Sequence, residues 1–193
     1  PSRWLYRNAE RLSAALADTV VCVSPSLLDF ARRESIVSAD KGQIVASGMS
    51  NGINASKFRK AEDVGRQDSP VVGFVGRLAA DKGIEDLARA WPKIRSVHPN
   101  ARLLLVGAWE AEDSVSRQMR EALESDPSVT CVGFVDDVTP YYEQMAVFVY
   151  PTHGSEGFPN APMEAAASGL PVVATETVGC VDAVVEGRTG TLI

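Results

Sequence analysis

The 193-residue chain is short of three things. It has no apolar run near the ~18 to 20 residues that a membrane span requires, it has only two histidines and three cysteines, and its acidic residues outnumber its basic ones, 25 to 19, for a formal net charge of −6. The first shortage means that no transmembrane anchor is expected within this stretch. The second speaks against a His and Cys metal site, since His98 and His153 lie at no ligand spacing to Cys22, Cys131 or Cys180. An odd number of distant cysteines, two of them in apolar strand-like runs, reads as reduced thiols in a reducing compartment, hence the cytoplasm. The third removes the clustered Lys and Arg that grip a phosphate backbone, so no nucleic-acid partner is expected and any anionic ligand must be met by locally placed cations. The first residues, Pro1-Ser-Arg-Trp-Leu-Tyr-Arg7, carry no signal-peptide pattern, and a start without Met points to a chain cut from something longer.

What is present is an ordinary globular composition, 45% hydrophobic and 23% charged, in a length that allows one core or one domain plus part of another. Leu5, Ala9, Leu12, Ala15 and Leu16 recur at helical spacing; a strand at 19–24, a helix from Pro25 or Ser26 to about Arg33, and a strand at 42–46 follow. Residues 47–70, rich in Ser, Gly, Asn, Lys and Asp, read as a connector with the turn signal Asn51-Gly52. From Val71 strands and helices alternate: strand 71–75, helix 84–97, strand 101–106, helix 113–124, strand 129–132, helix 138–145, strand 147–150, helix 161–168, strand 172–174 and a last strand near Thr191. Such alternation predicts an α/β, Rossmann-like parallel sheet with helices on both faces.

Two motifs carry chemistry. In Gly73-Phe-Val-Gly-Arg-Leu-Ala-Ala-Asp-Lys-Gly-Ile84, Gly76 and its neighbours let backbone approach a ligand, while Arg77 and Lys82 bring two cations to the carboxyl edge of the sheet, a pair suited to a diphosphate. Taken alone they also fit solvated surface charges. In Glu156-Gly-Phe-Pro-Asn-Ala-Pro-Met-Glu164, seven residues separate two carboxylates on a loop and a helix entrance. A carboxylate accepts paired hydrogen bonds from vicinal sugar hydroxyls. Pro162 fits a first helical turn, where free amides near Asn160 to Met163 would face an oxyanion or hydroxyl, and amides in the stretch of Gly157, Phe158, Pro159 and Asn160 would add to sugar and phosphate contacts. Acids at this separation also arise by chance, one solvated and one favoured by a helix dipole. His153, three residues before Glu156, reads as a strand-closing polar residue or a base, Trp109 as a stacking or a packed ring, and Trp91 as core.

Together with Met163-Glu-Ala-Ala-Ala-Ser-Gly-Leu-Pro-Val-Val-Ala174 and Gly179-Cys-Val-Asp-Ala-Val-Val-Glu-Gly187, these motifs resemble the retaining GT-B glycosyltransferases (family 4, glycosyl transferases group 1), which include sucrose and glycogen synthases. The resemblance implies a nucleotide-sugar-binding domain at 71–193, truncated before its closing helices, a connector at 47–70, and the end of an acceptor-binding N-terminal domain at 1–46. It assigns Arg77 and Lys82 to the donor diphosphate, Glu156 to the donor sugar and Glu164 to the ribose, with Gly76 and the stretch from Gly157 to Asn160 lining the donor. No metal and no cofactor are implied, only a nucleotide sugar, UDP-linked. Transfer is then same-face attack, the leaving phosphate helping to deprotonate the acceptor. Ser47-Gly-Met-Ser-Asn-Gly52 resembles a stretch of members that build bacterial capsule, exopolysaccharide and lipid-linked glycans, implying a hexose or N-acetylhexosamine donor and a glycan or lipid-linked acceptor. Peripheral membrane contact would come through the absent N-terminal domain at the inner face of the membrane, and the fragment alone is expected to transfer nothing. Asn54 stands where the family more often has Asp. The competing expectation is a non-catalytic scaffold that keeps the fold, and intact Arg77, Lys82, Glu156 and Glu164 count against it.

Overall fold

The computed structural model describes residues 3–46, 48, 52–58, 69–112 and 114–193. Most of the connector reading, including Asn51 and the greater part of Ser47-Gly-Met-Ser-Asn-Gly52, lies outside the described residues. The chain begins with helix α1 (Arg3–Leu16), strand β1 (Val20–Cys22), helix α2 (Pro25–Arg33) and strand β2 (Gly42–Ile44). β1 and β2 form a two-stranded parallel sheet of their own. The remaining strands are β3 (Val71–Val75), β4 (Arg102–Val106), β5 (Val129–Gly133), β6 (Val147–Tyr150), β7 (Val172–Ala174) and β8 (Gly190–Leu192). They make one six-stranded sheet in the order β5-β4-β3-β6-β7-β8, every pairing parallel. The helices between them are α3 (Ile84–Val97), α4 (Arg117–Ser125), α5 (Thr139–Tyr142), α6 (Asn160–Ala167) and α7 (Cys180–Ala183).

The near-continuous apolar runs of β3 and β4 explain their central place, because a parallel strand covered on both faces has no solvent side to mark with polar residues. Phe74, Leu103, Leu105, Phe148 and Ala174 are fully buried. A row of rings runs through the core toward one end of the sheet. Phe58 meets Tyr142 edge-on at 5.8 Å, Tyr142 lies 5.8 Å from Phe148, and Tyr150 stacks on Phe148 at 6.2 Å and on Phe74 at 6.0 Å. Trp91 is buried as expected, its Nε1 donating to Ser128 Oγ at 2.9 Å. All three cysteines are free thiols.

Helix limits differ from expectation where local contacts outcompete helical bonds. The helix expected at 113–124 starts only at Arg117. Ser114 instead bridges Ala79, and the Ser116 N–H donates to Glu85 Oε1 at 2.8 Å. The helix expected at 138–145 is a single turn, Thr139–Tyr142. The short helix Cys180–Ala183 was not expected from the sequence. Asn54 caps the 3-10 turn Ala55–Lys57 by accepting from the Ser56 N–H at 3.2 Å and Ser56 Oγ at 2.6 Å, as an aspartate would.

Candidate active site

The order of the six strands reverses between β3 and β6. Chain leaves β3 toward β4 on one side and β6 toward β7 on the other, so a crevice opens between their carboxyl ends, the place where open α/β sheets bind ligands. The loops at that crevice are residues 76–83 after β3 and 151–159 after β6. The first holds Gly76, Arg77 and Lys82, the second Glu156, Gly157, Phe158 and Pro159, and α6 then begins at Asn160. Both motifs singled out from the sequence therefore stand at one topological switch point.

The two loops touch. Gly83 has φ +70, and a Cβ there would stand 1.9 Å from the Pro151 carbonyl oxygen. The glycine thus serves loop-to-loop contact rather than backbone approach to a ligand. Thr152 and His153 continue the junction, since the His153 N–H donates to Asp81 O at 2.8 Å and Thr152 Oγ1 lies 3.1 Å from the same carbonyl. Gly83→Ala is expected to destabilise the fold by about 3 to 5 kcal/mol, overpacking and backbone strain acting together. A urea midpoint unchanged from wild type would refute the close contact.

Lys82 and Glu156 meet directly, ammonium to Oε1, with side chains only 13% and 16% exposed. Glu156 Oε1 also accepts from Tyr150 OH at 3.3 Å, and Thr152 Oγ1, itself fully buried, lies 3.1 Å away. The contacts from Lys82, Tyr150 and Thr152 to this carboxylate all fall on Oε1. The phenol of Tyr150 is pushed well above its ordinary range by burial and then by the Glu156 charge, so it remains a donor.

Arg77 belongs to the same network. Its guanidinium lies 3.1 Å from Glu110 Oε2 and 3.5 Å from Asp81 Oδ2, and Asp81 is 3.7 Å from the Lys82 ammonium. Hydrogen bonding from Arg77 holds the Glu110 carboxyl below its usual range. Both cations are thus paired with acids, Arg77 with its side chain half exposed and Lys82 largely buried. Glu164 is apart from this group, one turn into α6. Its Oε2 accepts from Tyr142 OH at 2.9 Å, and burial pushes its carboxyl up, the Tyr142 bond opposing. Pro162 is the third residue of α6 and buried, inside the first turn as expected.

His153 and Trp109 have partners of their own. His153 Nε2 pairs with Asp86 Oδ2, so it bonds to α3. The Trp109 ring lies under the Arg120 guanidinium at 5.0 Å. Among the described residues no group of three or more His, Cys, Asp or Glu is placed to hold a metal ion, and no helix is long and apolar enough to cross a membrane. The sequence reading missed Tyr150, Thr152 and Tyr142 as the partners of the two acids, and Asp81 and Glu110 as those of Arg77. Thr152 and Tyr150 flank Pro151 beside the Glu156 motif, but nothing in local pattern marks Tyr142.

These features define a doubly wound α/β domain whose switch point carries both motifs. Residues 69–193 match the family described as glycosyl transferases group 1, and the chain belongs to it. It is 34% identical over 191 residues to the capsular polysaccharide biosynthesis glycosyltransferase CapM of Staphylococcus aureus, covering 95% of this chain and 50% of the relative. It is 32% identical over 145 residues to a GDP-mannose-dependent alpha-(1-6)-phosphatidylinositol monomannoside mannosyltransferase of Mycolicibacterium smegmatis, covering 72% and 38%. The chain thus spans half or less of these relatives. Among solved structures, a sucrose-phosphate synthase of Thermosynechococcus elongatus superposes with TM-score 0.80 at 28% identity over 98% of this chain and 48% of that one. Anabaena HepE, solved in complex with UDP and glucose, superposes with TM-score 0.78 at 22% identity over 100% and 53%. The six-stranded sheet is the Rossmann-like sheet of the GT-B glycosyltransferase fold.

Proposed function

We propose that this chain is the donor-binding half of a retaining glycosyltransferase of family 4, moving a hexose or N-acetylhexosamine from a UDP-linked sugar to a glycan or lipid-linked acceptor in bacterial surface polysaccharide synthesis. One observation carries the reading: residues 76–83 and 151–159 join across the switch point, with Lys82 and Glu156 in contact. The likeness to CapM, a capsular polysaccharide biosynthesis glycosyltransferase, and to HepE, solved with UDP and glucose, supports the polysaccharide and UDP assignments. Residues 1–46 are then the end of the acceptor-binding domain and 47–70 its connector, with acceptor choice and membrane contact residing in the remainder of the protein at the cytoplasmic face.

In this reading Arg77 and Lys82 turn from their acid partners to the donor diphosphate. Their contribution grows as the bond to the sugar breaks and negative charge collects on the leaving nucleotide, which is the condition for lowering a barrier and not only for binding. Glu156 Oε2 accepts from donor-sugar hydroxyls. The first amides of α6, whose N-cap Pro159 makes no side-chain capping bond, face the same crevice with Gly157, Phe158 and Asn160. Glu164 accepts from the ribose. The acceptor attacks from the face that the nucleotide leaves, and the departing phosphate takes its proton, so configuration is retained.

The test uses the full-length protein. UDP should bind, one sugar among UDP-hexoses and UDP-N-acetylhexosamines should be consumed, and the product anomer, read by NMR, should match that of the donor, whereas consumption of GDP-mannose alone would overturn the UDP assignment. Absence of binding to any nucleoside diphosphate would sink the reading, and an inverted anomer would refute retention. Transfer should persist in a chelator, because Arg77 and Lys82 supply the positive charge. Complete loss restored by magnesium or manganese would overturn that expectation.

A further inference from the structure

The loop that carries Glu156 is fixed from outside its own sheet. The Glu156 N–H donates to Val178 O at 2.9 Å, and the next residue, Gly179, has φ +86 and lies so close that a Cβ would stand 2.6 Å from the Glu156 carbonyl oxygen. On the other side, a Cβ on Gly157 would stand 3.0 Å from Val23 Cγ2. The turn at residues 178–179 therefore sets where the Glu156 backbone lies.

That turn is held in its place by Ser26, at the start of α2. The Gly179 N–H donates to Ser26 Oγ at 2.7 Å, and Ser26 Oγ in turn donates to Asp182 Oδ2 at 2.5 Å. The Ser26 N–H donates to the same carboxylate oxygen at 3.0 Å. Ser24, fully buried, caps the same helix by accepting from the Leu27 N–H at 3.3 Å. The Asp182 carboxylate thus lies at the N-terminus of a nine-residue helix, where the helix dipole favours a negative charge. One hydroxyl accepts from the sheet side and donates back to it, so its bonds form only when the β1–β2 unit is seated against α7.

We infer that Ser26 and Asp182 are positioning residues: their contact couples the seating of the first 46 residues to the placement of the Glu156 carboxylate in the donor crevice. This rests on the reading of Glu156 as the acid that meets the donor sugar. Ser26→Ala removes the acceptor of the Gly179 N–H and one of the two donors to Asp182, and it frees the turn on which Glu156 leans. Arg77 keeps Glu110 and Asp81, Lys82 keeps Asp81, and Glu164 on α6 keeps Tyr142, so the nucleotide end of the site is the less disturbed.

In the full-length protein, Ser26→Ala should lower kcat about 5- to 20-fold, a part of the worth of one hydrogen bond to a charged group, while UDP affinity stays within about two-fold. Ser26→Thr keeps the hydroxyl and should restore kcat. Ser26→Ala and Asp182→Ala should be non-additive in combination, as expected of partners in one network. Unchanged kcat in Ser26→Ala, or parallel loss of UDP affinity that Ser26→Thr fails to restore, would overturn the inference. Hydrogen exchange provides a readout independent of catalysis. Ser26→Ala should speed exchange in residues 176–183 and 153–158 and not in 84–97, and unaltered exchange in the first two segments refutes the coupling even if the protein transfers no sugar. Should exchange respond while wild type binds no UDP, the contact stands and the donor-site reading falls.

Discussion

Lys82→Gln in the full-length protein is expected to lower turnover by about 10² to 10³-fold, the usual effect of removing one preorganised group from a site where charge develops. The ammonium is poised for this role because its neighbours hold it rigidly: its side chain is 13% exposed, it contacts Glu156, and Asp81 stands 3.7 Å away. The same substitution leaves a poorly solvated carboxylate without its cation, a change that typically costs about 3 to 5 kcal/mol in a buried pair. Stability and catalysis must therefore be separated. The double variant Lys82→Met with Glu156→Gln removes both charges and should regain most of the lost stability, since apolar replacement of a buried pair is often close to neutral. Its turnover should stay low. If the double variant recovers turnover together with stability, Lys82 acts through the fold and not on the leaving group.

The two acids are expected to fail in different ways. Glu156→Gln should lower turnover by on the order of 10²-fold with UDP affinity within about two-fold of wild type, because its contact to the sugar tightens as the anomeric centre becomes cationic. Glu164→Gln should weaken UDP by about 5- to 150-fold, corresponding to about 1 to 3 kcal/mol for one hydrogen bond to a charged group, with a smaller effect at saturation. Equal weakening of UDP binding by both, with turnover at saturation unchanged, would show the roles to be wrong. Stability gives Glu164 a second signature. Burial raises its carboxyl pKa in the folded protein, so between the unfolded and folded values the native state binds the extra proton. Stability consequently falls as pH rises through that window, and the cost is fully present above the folded pKa. Glu164→Gln removes the cost, so its thermal midpoint should exceed wild type at neutral pH and the difference should vanish as pH falls toward the ordinary carboxyl range. A variant that binds UDP worse yet melts later would identify Glu164 as a carboxylate retained for a ligand at the expense of stability.

Much of the fold was legible because its signals are local. Val71–Val75, Ile84–Val97, Val147–Tyr150 and Val172–Ala174 run where the apolar runs and helical spacing place them. Helix ends were less legible. Ser116 spends its N–H on Glu85 from another helix, and Thr139–Tyr142 is confined to one turn, outcomes that depend on neighbours distant in the chain. The site divides in the same way. Arg77, Lys82, Glu156 and Glu164 could be picked out from residue type and motif, whereas Thr152, Tyr150, Tyr142 and Ser26 are ordinary polar residues until the fold aims them.

The sequence by itself determined that a parallel α/β sheet forms, that two cations follow one of its strands and two acids another, and that no apolar run is long enough for a membrane-spanning helix, because composition and periodicity are properties of short stretches. Only the tertiary structure decided that those strands are adjacent at the reversal of strand order. It also decided that Lys82 meets Glu156, that Tyr142 holds Glu164, and that Ser26 reaches across 156 residues to Asp182. The physical reason is that a hydrogen bond or ion pair acts over a few ångströms in space, and the distance in space between two residues far apart in sequence is set by how every intervening element packs.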